Sequence, residues 1–274
     1  MKKCGISLCG KELTENFLIE LKSGGIDCIE ISAYELKDYS GIGDLCRKYG
    51  VEPWSAHLPF DWDIDISSTE KAISDDTLNL DMQIMERVAK EGFKVCVIHP
   101  SSEPIDDDKR SSRMEMAKSK LRILAKKANE LGMILAVEDL PRTCLGRNSD
   151  EMLELIGADS NLRICFDTNH LLGEPIDDFI RKVGKYIVTT HISDYDFIDE
   201  RHLLPGEGDI DWVSVADELE RAGYEGPFLY EVSPGTTTRI ERNTELTPKD
   251  FRENYEYVVQ RKKPPVHNGK LLFK

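Results

Sequence analysis

What this chain lacks narrows its reading first. Its seven cysteines are scattered, and no two stand in the Cys-x-x-Cys spacing of a structural zinc site. They read as reduced core thiols of a cytoplasmic protein, not as a disulfide or zinc-thiolate framework. No apolar run approaches the roughly 18 residues of a membrane span. The start, Met1-Lys2-Lys3-Cys4-Gly5, leads into a strand without the long apolar stretch of a secretory leader. Basic residues are also short: 36 Lys and Arg stand against 51 Asp and Glu, a net charge of −15. The clustered cations that hold nucleic acid or an anionic membrane are therefore not expected. No linker of changed composition interrupts the chain before a basic, proline-containing tail at 261–274.

What is present is a repeated unit. Apolar runs of strand type recur at Cys4–Cys9, Ile26–Ser32, Val51–His57, Val95–His99, Ile134–Glu138, Arg163–Asp167, Tyr186–His191 and Phe228–Glu231. Segments of helical type lie between and after them, at Leu13–Ser23, Gly43–Tyr49, Ser68–Glu91, Ser111–Leu131, Asn148–Ile156, Ile176–Val183, Trp212–Ala222 and Thr247–Gln260. In the Ser111–Leu131 segment, Met114, Ala117, Leu121, Leu124 and Ala128 fall at three- and four-residue spacing, one face of a helix. Glycines close several of the turns, Gly50, Gly92 and Gly132 among them. Eight strand–helix units over residues 1–260 predict an α/β chain folded as a single (β/α)8 barrel, in preference to a doubly wound open sheet.

In such a barrel every strand ends on the same face, where active sites sit. Strands three to eight end in His57, His99, Glu138, Asp167, His191 and Glu231. The intervals from Glu138 to Asp167, His191 and Glu231 are 29, 24 and 40 residues, about one unit each, so the four become neighbours on one rim. Carboxylates and an imidazole without thiolate suit a divalent cation such as Mn²⁺, Zn²⁺, Co²⁺ or Mg²⁺. The bland alternative for any one of them is a hydrogen-bonded structural residue; six at one topological position make a metal site the better reading. His170 joins the metal, orients substrate or only buttresses Asp167, and Glu30 either braces its own loop or touches substrate. Trp54, Phe60 and Trp62 are core aromatics or a wall for a sugar ring, with the core reading preferred. The acidic loop Phe60–Asp65 suits a segment folded over a site, Gly206-Glu207-Gly208 a flexible turn beside its mouth, and His267 a solvated side chain.

Several motifs carry a resemblance that covers residues 4–260: Val137-Glu138-Asp139, Phe166-Asp167-Thr168-Asn169-His170, Thr190-His191-Ile192-Ser193-Asp194, the run from Arg201 to Trp212, and Tyr230-Glu231. The chain resembles the xylose-isomerase-like TIM-barrel superfamily, the sugar phosphate isomerases and epimerases that also include endonuclease IV. The resemblance implies a metal held by Glu138, Asp167, His191 and Glu231. It gives the two glutamates the acid and base roles, with His170 orienting substrate. His57, His99, His202 and Trp62 complete the expected substrate-binding set. It departs from ketose 3-epimerases at Cys144 and Phe197, where those enzymes carry a substrate-contacting Glu and Arg. Endonuclease IV offers a second pattern, three zinc ions on nine ligands, matched by His57, His99, Glu138, Asp167, His170, His191, Glu200, His202 and Glu231, with Glu200 in place of an Asp. The activity expected is therefore a metal-dependent isomerase or epimerase of a sugar, sugar phosphate or cyclitol, working by proton transfer through a metal-stabilised enediolate. A metal-dependent phosphodiesterase and a lyase or dehydratase on an oxidised sugar are the alternatives. The expected partner is a small carbohydrate, with no nucleic acid and no membrane, and homo-oligomerisation is left open. The loops Phe60–Ser67 and Ser101–Asp108 hold seven acidic residues and no basic one, which argues against a phosphate backbone at this rim.

Overall fold

The computed structural model describes residues 2–8, 11–33 and 38–272. Eight parallel strands form one sheet: β1 Cys4–Ser7, β2 Cys28–Ser32, β3 Glu52–His57, β4 Val95–Ile98, β5 Ile134–Glu138, β6 Arg163–Asp167, β7 Ile187–His191 and β8 Phe228–Tyr230. They hydrogen-bond in chain order from β1 to β7, with β8 against β1. The ring closes just past the strand ends, where the Ile192 N–H donates to Leu229 O at 2.7 Å and the Glu231 N–H to Ile192 O at 3.1 Å. The result is a TIM barrel, with α1 Glu15–Ser23, α2 Ile42–Tyr49, α3 Lys71–Lys90, α4 Asp107–Glu130, α5 Ser149–Ile156, α6 Ile176–Val183, α7 Trp212–Arg221 and α8 Pro248–Val259 around it.

Local chemistry sets these helices. Thr14 accepts from the Phe17 N–H at 3.2 Å, Asn148 from Glu151 at 3.0 Å, and Asp211 from Val213 and Ser214 at 3.1 and 3.3 Å. Each satisfies N–H groups that a first helical turn leaves orphaned. Gly50 closes α2 with φ 71°, a left-handed conformation that costs a side chain little only at glycine. The fourth helix begins earlier than its apolar stripe suggests, at Asp107. Asp107 and Asp108, expected in a loop, instead occupy the positively polarised first turn.

Alternation along the strands divides the core in two. One face packs on the helices through residues such as Ile29, Ile98, Leu135, Val137, Ile164 and Phe166. The other faces the barrel axis, where Val95, Val97, Ala136 and Cys165 form a small separate cluster with Trp54 and Val188 against it. Trp54 is thus an interior aromatic, and its Nε1–H donates to Thr189 Oγ1 at 3.1 Å.

A second sheet was invisible in the pattern. β9 Ile240–Arg242 pairs antiparallel with β10 Gly269–Leu271, so residues of the basic tail return to the loop after β8. Arg242 is buried and donates to both Glu207 oxygens, at 2.8 and 2.6 Å, and to His267 O at 2.9 Å. Gly206-Glu207-Gly208 is accordingly a packed turn holding a buried ion pair, not a flexible one, and none of its three residues lines the cavity. His267 lies 2.7 Å from Asp250 and is not simply solvated. Cys9, expected in the first strand, and residues 273–274 of the tail lie outside the described residues. Among the described residues, no helix is long and apolar enough to cross a membrane.

Candidate functional site

The strand face that carries the inner cluster also carries the site. Val97, Ala136, Cys165 and Leu229 point inward, and two residues further on stand His99, Glu138, Asp167 and Glu231. His57, Glu138, Asp167 and His191 are the last residues of β3, β5, β6 and β7, while His99 and Glu231 lie one residue beyond β4 and β8. All sit below or beside a cavity of about 350 Å³ whose wall includes His57, His99, Glu138, His170, His202 and Glu231.

Several partly overlapping groups of donors assemble there, one of them formed by Glu138, His191 and the Cys165 thiol. Glu138, Asp167, His191 and Glu231 bring one donor atom each within 4.8 Å of one another; His57, His99 and Glu138 make a second such group, and His170, Glu200 and His202 a third. Glu138 joins the first two. His191 Nδ1 lies 3.1 Å from Glu138 Oε1, 3.0 Å from Glu231 Oε2 and 3.8 Å from Asp167 Oδ2. On the other side of Glu138, Oε2 is 3.0 Å from His57 Nε2 and 3.4 Å from His99 Nε2. His170 Nε2 is 3.3 Å from Glu200 Oε1.

The imidazoles share one arrangement. His57 Nδ1 faces Leu58 O at 2.8 Å, His170 Nδ1 faces Asp139 O at 2.7 Å and His202 Nδ1 faces Glu231 O at 3.2 Å. A carbonyl only accepts, so each of these nitrogens carries the proton. The remaining nitrogen of His57 and of His170 therefore turns toward carboxylate oxygen at 3.0–3.3 Å. Two lone pairs facing one another require a cation or a second proton between them. Burial lowers the basicity of these rings, but the Glu138 carboxylate outweighs it at His57 and the Asp167 carboxylate at His170, raising both to about 9. At His99 burial wins and the pKa falls. Burial and the neighbouring Glu231 raise Asp167 to about 6 against the pull of His170. At Glu231 burial is outweighed by His191, and the carboxyl falls below its ordinary range. Asp167 Oδ2 is buried with no hydrogen-bond partner, an acceptor left open toward the first group. Oxygen and imidazole donors, fixed tautomers and this open acceptor fit a divalent cation.

Several expectations change with the structure in view. Phe60 stacks on His99 with centroids 3.8 Å apart, and Trp62 is 75% exposed at the cavity lip. Neither is the core aromatic that was preferred. The Phe60–Asp65 loop does reach the cavity wall, through Phe60, Asp61 and Trp62. Glu30 is fully buried, is not among the residues lining the cavity, and has Oε1 3.0 Å from His191 Nε2; residues 34–37 of the loop after its strand lie outside the described residues. The acidic rim is not without a cation, because Arg142 from the loop after β5 joins it. Arg142 pairs with Glu103 at 2.6 Å, Asp199 at 2.7 Å and Glu200 at 3.3 Å, tying together three loops. Its φ of 51° is uncommon for a residue with a side chain. Arg142 stands in its loop without any motif around it, and only the pairing reveals it.

The fold and this rim define a TIM-barrel protein with a cluster of carboxylates and imidazoles at its strand ends. A family model described as a xylose isomerase-like TIM barrel matches residues 18–253, and the chain belongs to that family. It is 28% identical over 204 residues to an uncharacterised protein of Methanocaldococcus jannaschii, covering 71% of this chain and 69% of that one. It is 29% identical over 136 residues to a D-psicose 3-epimerase of Enterocloster bolteae, covering 46% of this chain and 42% of that enzyme. Among solved structures, a D-tagatose 3-epimerase-like protein superposes with a TM-score of 0.76 at 22% identity, covering 94% and 96% of the two chains.

Proposed function

We propose that the protein is a metal-dependent isomerase or epimerase of a sugar or related polyol. The observation that carries this reading is the placement of two carboxylates, Glu138 and Glu231, either side of His191 Nδ1 at 3.1 and 3.0 Å, at the floor of a cavity of monosaccharide scale. Likeness to the D-psicose 3-epimerase supports the same class. A divalent ion held by Glu138, Asp167, His191 and Glu231 would supply Lewis-acid polarisation of a sugar carbonyl and its neighbouring hydroxyl.

The chain's own residues supply the rest. One glutamate removes the proton from the carbon beside the carbonyl, and the other delivers one to the opposite face. In the metal-free protein His191 outweighs burial and draws both carboxyls below their ordinary range; the glutamate that delivers the proton must start the step protonated. His170, fixed through Asp139 O, presents Nε2 to a substrate hydroxyl, while His57 and His99 line the far wall and Trp62 offers an apolar face at the lip. Turnover in D₂O tests the reading: deuterium enters at the carbon beside the carbonyl, and epimerised sugar without that label sinks it.

One observation favours a second reading. The group His57–His99–Glu138 shares Glu138 with the four-residue set and the group His170–Glu200–His202 lies outside it, and each could hold a further ion. That suits a phosphodiesterase of endonuclease IV type. Metal analysis separates the two: one ion per chain favours proton transfer, while three ions together with incision of an abasic duplex favour hydrolysis.

A further inference from the structure

We infer that Glu30 is a positioning residue that fixes the tautomer of His191 and thereby sets the affinity of the strand-end cluster for a divalent cation. The inference rests on the cation-binding role proposed above for His191.

Glu30 lies on β2 between Ile29 and Ile31, whose side chains join the sheet–helix core. Strand alternation sends its own side chain the other way, into the barrel. There it is 0% exposed, and a carboxylate in such a place is costly unless it is paired and hydrogen-bonded. Both oxygens are engaged. Oε2 accepts from the Ser55 hydroxyl at 2.7 Å, and Oε1 lies 3.0 Å from His191 Nε2. Glu30 is fully buried and is not among the residues that line the cavity. It meets the imidazole on the side opposite the cluster.

That geometry decides which ring nitrogen can bind. Nδ1 faces three carboxylates, those of Glu138, Glu231 and Asp167. With a carboxylate oxygen 3.0 Å from Nε2, the neutral ring keeps its proton there and leaves its lone pair on Nδ1, directed at the cluster. A carboxylate behind a ligating imidazole also raises the basicity of the ligating nitrogen. His57, His170 and His202 are fixed by backbone carbonyls. Among these fixed rings His191 alone is held by a charged group, and it is the one that touches both proposed catalytic glutamates.

The test uses the full chain and Co²⁺ alone. Glu30→Gln keeps the shape, an acceptor for His191 and a partner for Ser55, but removes the charge. Co²⁺ affinity, measured by competition with a chelating indicator, is expected to fall about 10–100-fold with the circular dichroism spectrum unchanged. In the Zn²⁺-loaded wild type, ¹⁵N spectra of labelled histidine are expected to place the His191 proton on Nε2, with its resonance moving upfield in Glu30→Gln. Ser55→Ala, which loosens the carboxylate without discharging it, is expected to weaken Co²⁺ in the same direction by less, and it serves if Glu30→Gln does not fold. Folded Glu30→Gln binding Co²⁺ within twofold of wild type, or a His191 proton on Nδ1, overturns the inference. Failure of the wild type itself to bind Co²⁺ overturns the cation-binding reading as well.

Discussion

Two buried carboxylates of this barrel meet opposite fates. Glu138, at the end of β5, is enclosed by His57, His99 and His191, and these imidazoles hold its pKa well below the ordinary range although burial pushes the other way. Asp81, in the middle of α3, is equally buried, and neither of its oxygens has a hydrogen-bond partner. Burial alone pushes its carboxyl well above the usual value. The contrast extends to their regions. The rim concentrates charge that is expensive to bury and useful to chemistry, whereas the sheet–helix layer has nothing to gain from charge and pays for Asp81 in stability.

The comparison can be broken at the rim first. Exhaustive chelation is expected to abolish turnover, with Mn²⁺, Co²⁺ or Mg²⁺ restoring it; full activity in protein shown to be metal-free would end the metal-dependent reading. Next, Glu138→Gln and Glu231→Gln are each expected to lower kcat by about 10²–10⁴-fold, because an amide fills the space but cannot take up the proton. Their circular dichroism should be unchanged, and near-wild-type kcat in either variant removes that residue from the acid–base pair.

The helix-facing layer should answer in the opposite currency. Leu135 is fully buried on β5, and Leu135→Ala is expected to cost about 2–5 kcal/mol in denaturant unfolding. Activity per folded molecule should be unaltered. A loss of kcat at full folding would mean that the two regions are coupled.

The smallest effect belongs to Asp81 and has the reverse sign. Asp81→Ala removes an unpartnered buried carboxyl from a helix interior and is expected to raise stability by about 1–3 kcal/mol at neutral pH. Because the folded-state pKa is raised, the folded protein holds this proton more tightly than the unfolded chain does. Wild-type stability from this group is therefore full below the unfolded carboxyl value of about 4 and declines as pH rises through the interval above it. The advantage of Asp81→Ala should accordingly vanish below about pH 4 and grow toward neutrality. An advantage independent of pH would mean that the Asp81 carboxyl has the same pKa in the folded and unfolded states.

The sequence by itself determined the barrel and the residues at its strand ends, because both are local properties. An apolar run that stops at a carboxylate or an imidazole, repeated at intervals of one strand–helix unit, needs no knowledge of neighbours. His57, Glu138, Asp167 and His191 are legible in this way as the last residues of their strands. Tertiary structure decided the contacts between units. Glu30 and His191 stand 161 residues apart, and only the register of β2 and β7 around a closed ring brings them to 3.0 Å. Arg142, in the loop after β5, reaches Glu103 in the loop after β4 and Asp199 and Glu200 in the loop after β7, contacts that none of the three loop sequences shows. The β9–β10 pairing joins two three-residue strands, too short for any period to register, and is held by the Arg242–Glu207 pair closed across 35 residues. Periodicity records which way a side chain faces; which other side chain it meets depends on strand register and loop path, and these exist only once the ring has closed.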